Sequence, residues 1–158
     1  MILHTIGPVY DENSEILILG SFPSVKSREN AFFYGHPQNR FWKVTAAVFD
    51  SPVPETIEEK KIFLIENKIA LWDVIHACDI TGSSDSSIKN AVPNDLNVIL
   101  NTAKIKKIFV NGKTAEKYYN KLIRNTVKRE AVLLPSTSPA NAAWSFEKLA
   151  CAWRVIRG

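Results

Sequence analysis

The sequence predicts an α/β protein, a three-layer α/β/α sandwich built on a four-stranded, mainly parallel sheet. Two observations carry that expectation. Four short, uninterrupted apolar runs recur along the chain, the pattern of strands buried on both faces, and each stops where a polar or Gly/Pro segment begins. Helical patterns separate the runs, and strands alternating with helices imply parallel strands covered on both sides. A length of 158 residues with no linker-like stretch fits a single domain over residues 1–158.

The first strand is Glu15-Ile16-Leu17-Ile18-Leu19-Gly20, with the glycine opening a tight turn. A helix follows over Arg40 to Phe49, and Asn39 directly before it is well placed as an N-cap. The next helix, Ile57 to Asn67, stands behind a capping box of Thr56 and Glu59. The second strand is Ile69 to Val74, and Asn94 caps a helix over Asp95 to Ala103. Ile105 to Val110 forms the third strand; Thr114 to Asn125 is a helix with Ala115, Tyr118 and Leu122 on one face. Ala131 to Leu134 is the fourth strand, and the last helix is expected over Pro139 to Ile156, with Ser138 as N-cap and Pro139 at its first position. Ser83-Ser84-Asp85-Ser86-Ser87 reads as a long mobile loop, and Trp42, Trp72, Trp144 and Trp153 fall on apolar positions expected in the core.

Composition narrows the class. Hydrophobic residues make up 46% and charged residues 23%, which excludes a disordered or low-complexity chain. No apolar run approaches the ~20 residues of a membrane span, and Met1-Ile2-Leu3-His4 begins no cationic, apolar export signal, so a soluble cytoplasmic protein is expected, without membrane partners and acting as a monomer. The two cysteines, Cys78 and Cys151, offer neither a disulfide framework nor a zinc site. Net charge is only +4, yet nine Lys or Arg face two acids between Asn101 and Glu130, a polarity compatible with a polyanion or with a solvated lysine-rich face.

Ligand sites in open parallel sheets lie beyond the carboxyl ends of the strands. The segments there are Gly20-Ser21-Phe22-Pro23-Ser24, Ile75-His76-Ala77-Cys78-Asp79, Asn111-Gly112-Lys113-Thr114 and Pro135-Ser136-Thr137-Ser138-Pro139-Ala140-Asn141. They are rich in small hydroxyl and amide side chains, which let a DNA phosphate approach closely. Gly112-Lys113-Thr114 lacks the upstream glycine of a phosphate loop, since Lys107 stands there, and Gly20 begins no dinucleotide fingerprint. His76 and Asp79, with Asp73 nearby, lack a third nitrogen or sulfur ligand at a characteristic spacing, and no carboxylate cluster suits a two-metal nuclease. Neither a metal nor any other cofactor is expected.

Gly20-Ser21-Phe22-Pro23-Ser24, then nine residues, then Tyr34-Gly35-His36-Pro37-Gln38-Asn39-Arg40-Phe41-Trp42, together with Leu134-Pro135-Ser136-Thr137-Ser138-Pro139-Ala140-Asn141, resembles the uracil-DNA glycosylase superfamily. The form of the last loop is similar to that of its hypoxanthine-DNA glycosylase branch, the DNA-deoxyinosine glycosylases. The resemblance covers nearly the whole chain. It implies the superfamily's fold, DNA containing deoxyinosine as partner, and excision of hypoxanthine by base flipping and hydrolysis of the N-glycosidic bond, monofunctionally, in base excision repair.

One departure stands out. Where related branches place asparagine or aspartate at the third position of the first loop to hold the attacking water, this chain has Phe22, which cannot orient a nucleophile. The resemblance transfers the essential asparagine to Asn39 and a second important one to Asn111. Asn39 then positions water or contacts the base, and Asn111 hydrogen-bonds the purine edge. Tyr34 stacks on the flipped base, Phe22 adds an apolar wall, and backbone N–H groups near Gly20 and Ser21 stabilise charge on the leaving base. Ser24, Ser136 and Ser138 are phosphate contacts, with Pro139, Ala140 and Asn141 near the minor groove or the vacated base position; Ser83, Asp85 and Lys113 are further candidates. Two rival readings are a uracil or mismatch-specific glycosylase and a non-catalytic lesion-binding DNA module.

Overall fold

The computed structural model describes residues 1–158. Strands β2 (Ile16–Gly20), β3 (Ile69–Asp73), β6 (Lys107–Asn111) and β7 (Ala131–Leu134) form a four-stranded sheet in the order β3-β2-β6-β7, parallel throughout. These are the four apolar runs, the fourth with the expected ends and the others displaced by one or two residues. Ile18 of the central strand β2 lies in register with Leu71 on one side and Phe109 on the other. Leu17, Ile18 and Leu19 are all 0% exposed, so successive side chains on opposite faces are both buried, which is why the run is continuous rather than alternating.

One face of the sheet packs Ile18, Leu71 and Phe109 against Phe41 and Trp42 of α2 (Phe41–Val48), Phe63 and Leu64 of α3 (Ile57–Glu66) and Leu149 and Trp153 of α7 (Phe146–Trp153). The other packs Leu17, Leu19 and Val110 against Ile99 of α4 (Asn97–Leu100) and Ala115, Tyr118 and Tyr119 of α5 (Lys113–Leu122). Two short helices, α1 (Val25–Asn30) and α6 (Arg124–Val127), complete the set. The expected sandwich is present, and α3 starts at its capping box, where the Glu59 amide donates to Thr56 Oγ1 at 3.1 Å. Trp42 and Trp153 lie in the core, while Trp72 and Trp144 are only partly buried against it.

A second sheet was not legible. β1 (Ile2–Leu3), β4 (Ile75–Asp79) and β5 (Lys89–Pro93) pair antiparallel in the order β1-β4-β5. Ile75–Asp79 read as a loop because only Val74 separates it from β3. That junction is pinned to the first loop: the Val74 amide donates to the Gly20 carbonyl at 2.8 Å and the Ile75 amide to the Ser21 carbonyl at 3.0 Å.

Several helix boundaries depart from expectation. The last helix begins at Phe146 behind Ser145, whose Oγ accepts the Lys148 amide, and not at Pro139 behind Ser138. Residues 138–144 close successive turns instead, the Asn141 amide on the Ser138 carbonyl and the Trp144 amide on the Asn141 carbonyl, and the Arg40 guanidinium clamps them by donating to the carbonyls of Ser138, Asn141 and Trp144. Helix α4 is shorter than Asp95 to Ala103, and Asn94 does not cap it, since its amide donates to the carbonyls of Asp73 and Ile75. The segment expected as a helix to Asn125 breaks at Ile123 into α5 and α6. The serine tract is not an unstructured loop: Asp85–Ser87 form a 3-10 turn, and Ser83 Oγ accepts the Val25 amide at 2.9 Å.

Candidate active site

The carboxyl ends of β2, β3 and β6 and the segment after β7 open into one cleft of about 540 Å³. It lies where the chain, having placed β3 on one side of β2, places β6 on the other, the topological switch point at which open α/β sheets bind ligands. Of the residues expected to be functional, Gly20, Ser21, Phe22, Ser24, Tyr34, Asn39, Ser83, Asp85, Asn111, Ser136, Ser138, Pro139 and Ala140 all line it. Asn141 does not; its side-chain amide donates to the Ser136 carbonyl at 3.0 Å and stiffens the loop. Lys113 is exposed at the start of α5, outside the lining. His76 is exposed on β4, and Asp79 binds Asn90 and the N-terminal amine, so the structure does not bring these two together as ligands.

The N-cap position of α2 is Arg40, one residue later than expected, but Asn39 still bonds the start of the helix and lines the site at once. Its Oδ1 accepts the Phe41 amide at 2.9 Å, satisfying an otherwise orphaned donor of α2, and also accepts the Thr137 hydroxyl at 2.9 Å. With the carbonyl end committed, the Nδ2 amide has no acceptor in the protein, so two N–H donors remain for a ligand. Thr137, 0% exposed, is the hub. Its amide donates to Asn111 Oδ1 at 3.1 Å, and Asn111 Nδ2 donates to Thr137 Oγ1 at 3.0 Å and to the Tyr34 hydroxyl at 3.2 Å. Both donors of Asn111 are thereby engaged, leaving only a lone pair on its Oδ1.

Tyr34 sits at φ 52, a left-handed conformation rare for a bulky residue, and its ring stacks on Phe41 with centroids 4.1 Å apart. One ring face is thus covered by the core, and only the other is available to a planar ligand. Burial pushes its hydroxyl well above the ordinary phenol range, and the Asp73 charge adds to the rise.

The first loop presents backbone donors. Its carbonyls at Gly20 and Ser21 are taken by Val74 and Ile75, while the amides of Ser21 and Phe22 have no acceptor in the protein. Ser24 Oγ caps α1 by accepting the Ser27 amide at 3.1 Å and gives its own proton to Ser27 Oγ. Ser136 and Ser138 behave differently, accepting the amides of Ser138 and Ala140 while their hydroxyl protons stay free.

Two carboxylates enter the cleft. Asp73 ends β3 with its side chain 5% exposed, and its Oδ2 accepts His4 Nε2–H at 2.8 Å. The tautomer follows from geometry, because the Ile6 amide donates to His4 Nδ1 at 3.2 Å and leaves the ring proton on Nε2. Asp73 Oδ1 has no donor within the protein and faces the cleft lining. Asp85 also lines the cleft, with Oδ1 accepting the Ser21 hydroxyl at 3.2 Å.

A family model for the uracil DNA glycosylase superfamily matches residues 8–157. The chain belongs to that superfamily. It is 37% identical over 147 residues to a hypoxanthine DNA glycosylase of Methanosarcina acetivorans, covering 92% of each chain. It is 35% identical over 136 residues to a hypoxanthine DNA glycosylase of Methanosarcina barkeri, covering 85% of each. Its fold matches, at a TM-score of 0.79 and 33% identity over 97% of each chain, the solution NMR structure of a Methanosarcina acetivorans protein assigned provisionally as a uracil DNA glycosylase.

In this member of the superfamily, Phe22 is buried. Its ring meets the His4 ring edge-on at 5.9 Å, and the Arg28 guanidinium lies 5.7 Å from its centroid. The loop itself offers the free amides of Ser21 and Phe22, and the carboxylate of Asp73 comes in from the next strand, in register with Gly20. Sequence reasoning gave Thr137 and His36 no role and weighed Asp73 only beside a discounted metal pair, although all three line the cleft. Thr137 lay inside a quoted motif, and Asp73 was a charge closing an apolar strand, a signal that could have been read. Nothing local marked His4, which meets Asp73 across 69 positions.

Proposed function

We propose that this chain excises hypoxanthine from deoxyinosine in DNA, cutting the N-glycosidic bond with water and leaving an abasic site. The observation that carries the reading is the amide of Asn39. It is locked by Thr137 and the start of α2 so that its two N–H groups are the unpaired polar end, in a cleft whose volume admits a nucleoside. The names of the two similar proteins supply the base.

A base within duplex DNA is out of reach, so the nucleotide is extruded, at lower cost for an inosine pair than for a normal one. The purine stacks on the free face of Tyr34, with Phe22 as a second apolar wall. Asn39 Nδ2 donates to the base or to the water oxygen. Asn111 holds Tyr34 and Thr137 in place, and its remaining lone pair accepts from the purine edge. The free amides of Ser21 and Phe22 stabilise negative charge on the departing base. Asp73 Oδ1 is an acceptor for the water or for a base N–H, a service Phe22 cannot give. Ser136 and Ser138 donate to phosphate, Pro139 and Ala140 form the rim, and Ser24 and Asn141 shape the two loops. No lysine lines the cleft to trap the sugar as an imine, which supports monofunctional action.

The test is incubation of purified protein, in EDTA, with end-labelled duplexes carrying one deoxyinosine or one deoxyuridine, followed by alkali. Breakage of the inosine strand only after alkali is the expected outcome. Preference for uridine would move the chain to the uracil or mismatch reading. Binding without release of either base would make it a lesion-binding module, recognisable by salt-dependent affinity.

A further inference from the structure

A purine is a poor leaving group. When C1′–N9 breaks, the bonding pair goes to the base, and backbone donors relieve only part of the charge that builds there. A proton delivered to N7, on the same five-membered ring as N9, relieves it fully. The cleft contains two carboxyl groups whose surroundings differ, an arrangement that separates an acceptor from an acid. Asp73 receives the His4 Nε2–H and is thereby set up as the acceptor.

Asp85 is built for the other role. It opens the 3-10 turn Asp85–Ser87, yet its carboxyl caps nothing in that turn, whose flanking Ser84 makes no side-chain cap either. Instead it reaches across to the first loop, where Oδ1 accepts the Ser21 hydroxyl at 3.2 Å. The Ser21 hydroxyl, together with the nearby Thr114 hydroxyl, orients the group, and the carboxyl lines the cleft beside the loop that carries the free amides of Ser21 and Phe22. Desolvation in the cleft wall pushes the carboxyl up, the hydroxyls of Ser21 and Thr114 pull it down, and the Asp73 charge pushes it up again. The titratable groups whose charge couples to it are Asp73 on β3, Cys78 on β4 and Tyr34, and His36 lines the same cleft. The guanidinium of Arg28 on α1 is turned to the Gly82 carbonyl at 2.6 Å and makes no ion pair with Asp85.

We propose that Asp85 is the general acid of the reaction, donating its carboxyl proton to N7 of the flipped purine as the C1′–N9 bond breaks. The inference rests on the deoxyinosine reading above. The Oδ2–H bond breaks and N7–H forms; the C1′–N9 pair passes into the imidazole ring, and hypoxanthine departs neutral. Water adds its oxygen to C1′ and loses a proton to solvent, from which the Asp85 carboxylate is reprotonated. Nothing is oxidised or reduced.

The experiment measures single-turnover excision from a deoxyinosine duplex between about pH 5 and pH 9 for the wild type, Asp85→Asn and Asp85→Glu. It is repeated with 7-deaza-deoxyinosine, which has carbon in place of N7. The wild-type rate is expected to fall as pH rises through the Asp85 titration. Asp85→Asn should lose about 10²-fold or more, the usual yield of general acid catalysis, together with that alkaline limb. Asp85→Glu should restore part of the rate with a displaced limb. Affinity for the deoxyinosine duplex should hold, and the melting temperature should change only through the Asp85 titration, since its fold contacts are few. On the 7-deaza substrate the wild type should be slow and Asp85→Asn no slower. Asp85→Asn within about threefold of the wild type on deoxyinosine, or an equal loss on both substrates, overturns the proposal while the excision reading stands. A wild type that releases no hypoxanthine at any pH overturns both.

Discussion

Asp73 and Gly20 are partners in register on β3 and β2, and the carboxylate of the first lies across the bare Cα of the second: a Cβ on Gly20 would stand 2.4 Å from Asp73 Oδ1 and 2.9 Å from the Tyr34 hydroxyl. The glycine is there for space, since its φ lies outside the left-handed region. The bareness of the strand end lets a carboxylate from one element and a phenol from another converge on the floor of the cleft.

Gly20→Ala is therefore expected to push Asp73 or Tyr34 aside. Overpacking of this kind costs about 1–3 kcal/mol, and excision should drop by at least an order of magnitude. Paired melting curves and single-turnover rates provide the check. A variant as active as the wild type would show that neither Asp73 nor Tyr34 needs its present position.

Asn39 separates capping from chemistry through two substitutions. Asn39→Asp keeps an oxygen for the Phe41 amide and the Thr137 hydroxyl but removes the N–H donors, so stability should hold while turnover is lost. Asn39→Ala should also abolish turnover and in addition cost about 1 kcal/mol through the missing cap. If Asn39→Asp turns over normally, the residue is only a cap.

Thr137→Val preserves shape and deletes the hydroxyl that joins Asn39 Oδ1 to Asn111 Nδ2. Because the site is fully buried, the stranded amide proton of Asn111 should cost about 1–3 kcal/mol. Excision should fall more than DNA affinity does, since Asn39 and Tyr34 lose their common brace. A fall in binding alone, with the rate at saturating protein unchanged, would speak against this role.

Asp85 also makes a prediction about stability. Its folded-state pKa lies above the ordinary 3.8, so the folded protein holds this proton more tightly than the unfolded chain. The stabilisation is complete below the unfolded value and disappears as pH rises through the folded one. Asp85→Asn removes that dependence, so the melting temperature of the wild type minus that of the variant should decline as pH increases from about 4 towards 7. A flat or rising difference would mean that the carboxyl is not shifted upward.

Much of the cleft was legible because its parts are punctuation. Gly20 ends an apolar run, Asn39 precedes a helix, and the Ser136 to Asn141 loop follows a strand; all three sit where a sheet of this kind must place its ligand site. The last helix was misread for a reason the local sequence does not contain. Ser138 and Pro139 are favourable first residues of a helix, but the segment closes turns that Arg40, about 100 positions earlier, clamps through the carbonyls of Ser138 and Asn141. The serine tract looked unstructured because its order comes from outside, through Val25 and Ser21.

The amino-acid order by itself determined the parallel sheet, the layers on its two faces and the loops that meet at its carboxyl end, since apolar periodicity and capping act over a few residues. Tertiary structure alone decided which polar atoms stay unpaired. Asn39 keeps its amide free because Thr137 and Phe41 occupy its carbonyl, Asn111 loses its donors to Tyr34 and Thr137, and Asp73 is set by His4. Hydrogen-bonding capacity is a property of each residue type, but what remains of it for a substrate depends on neighbours far away in the chain.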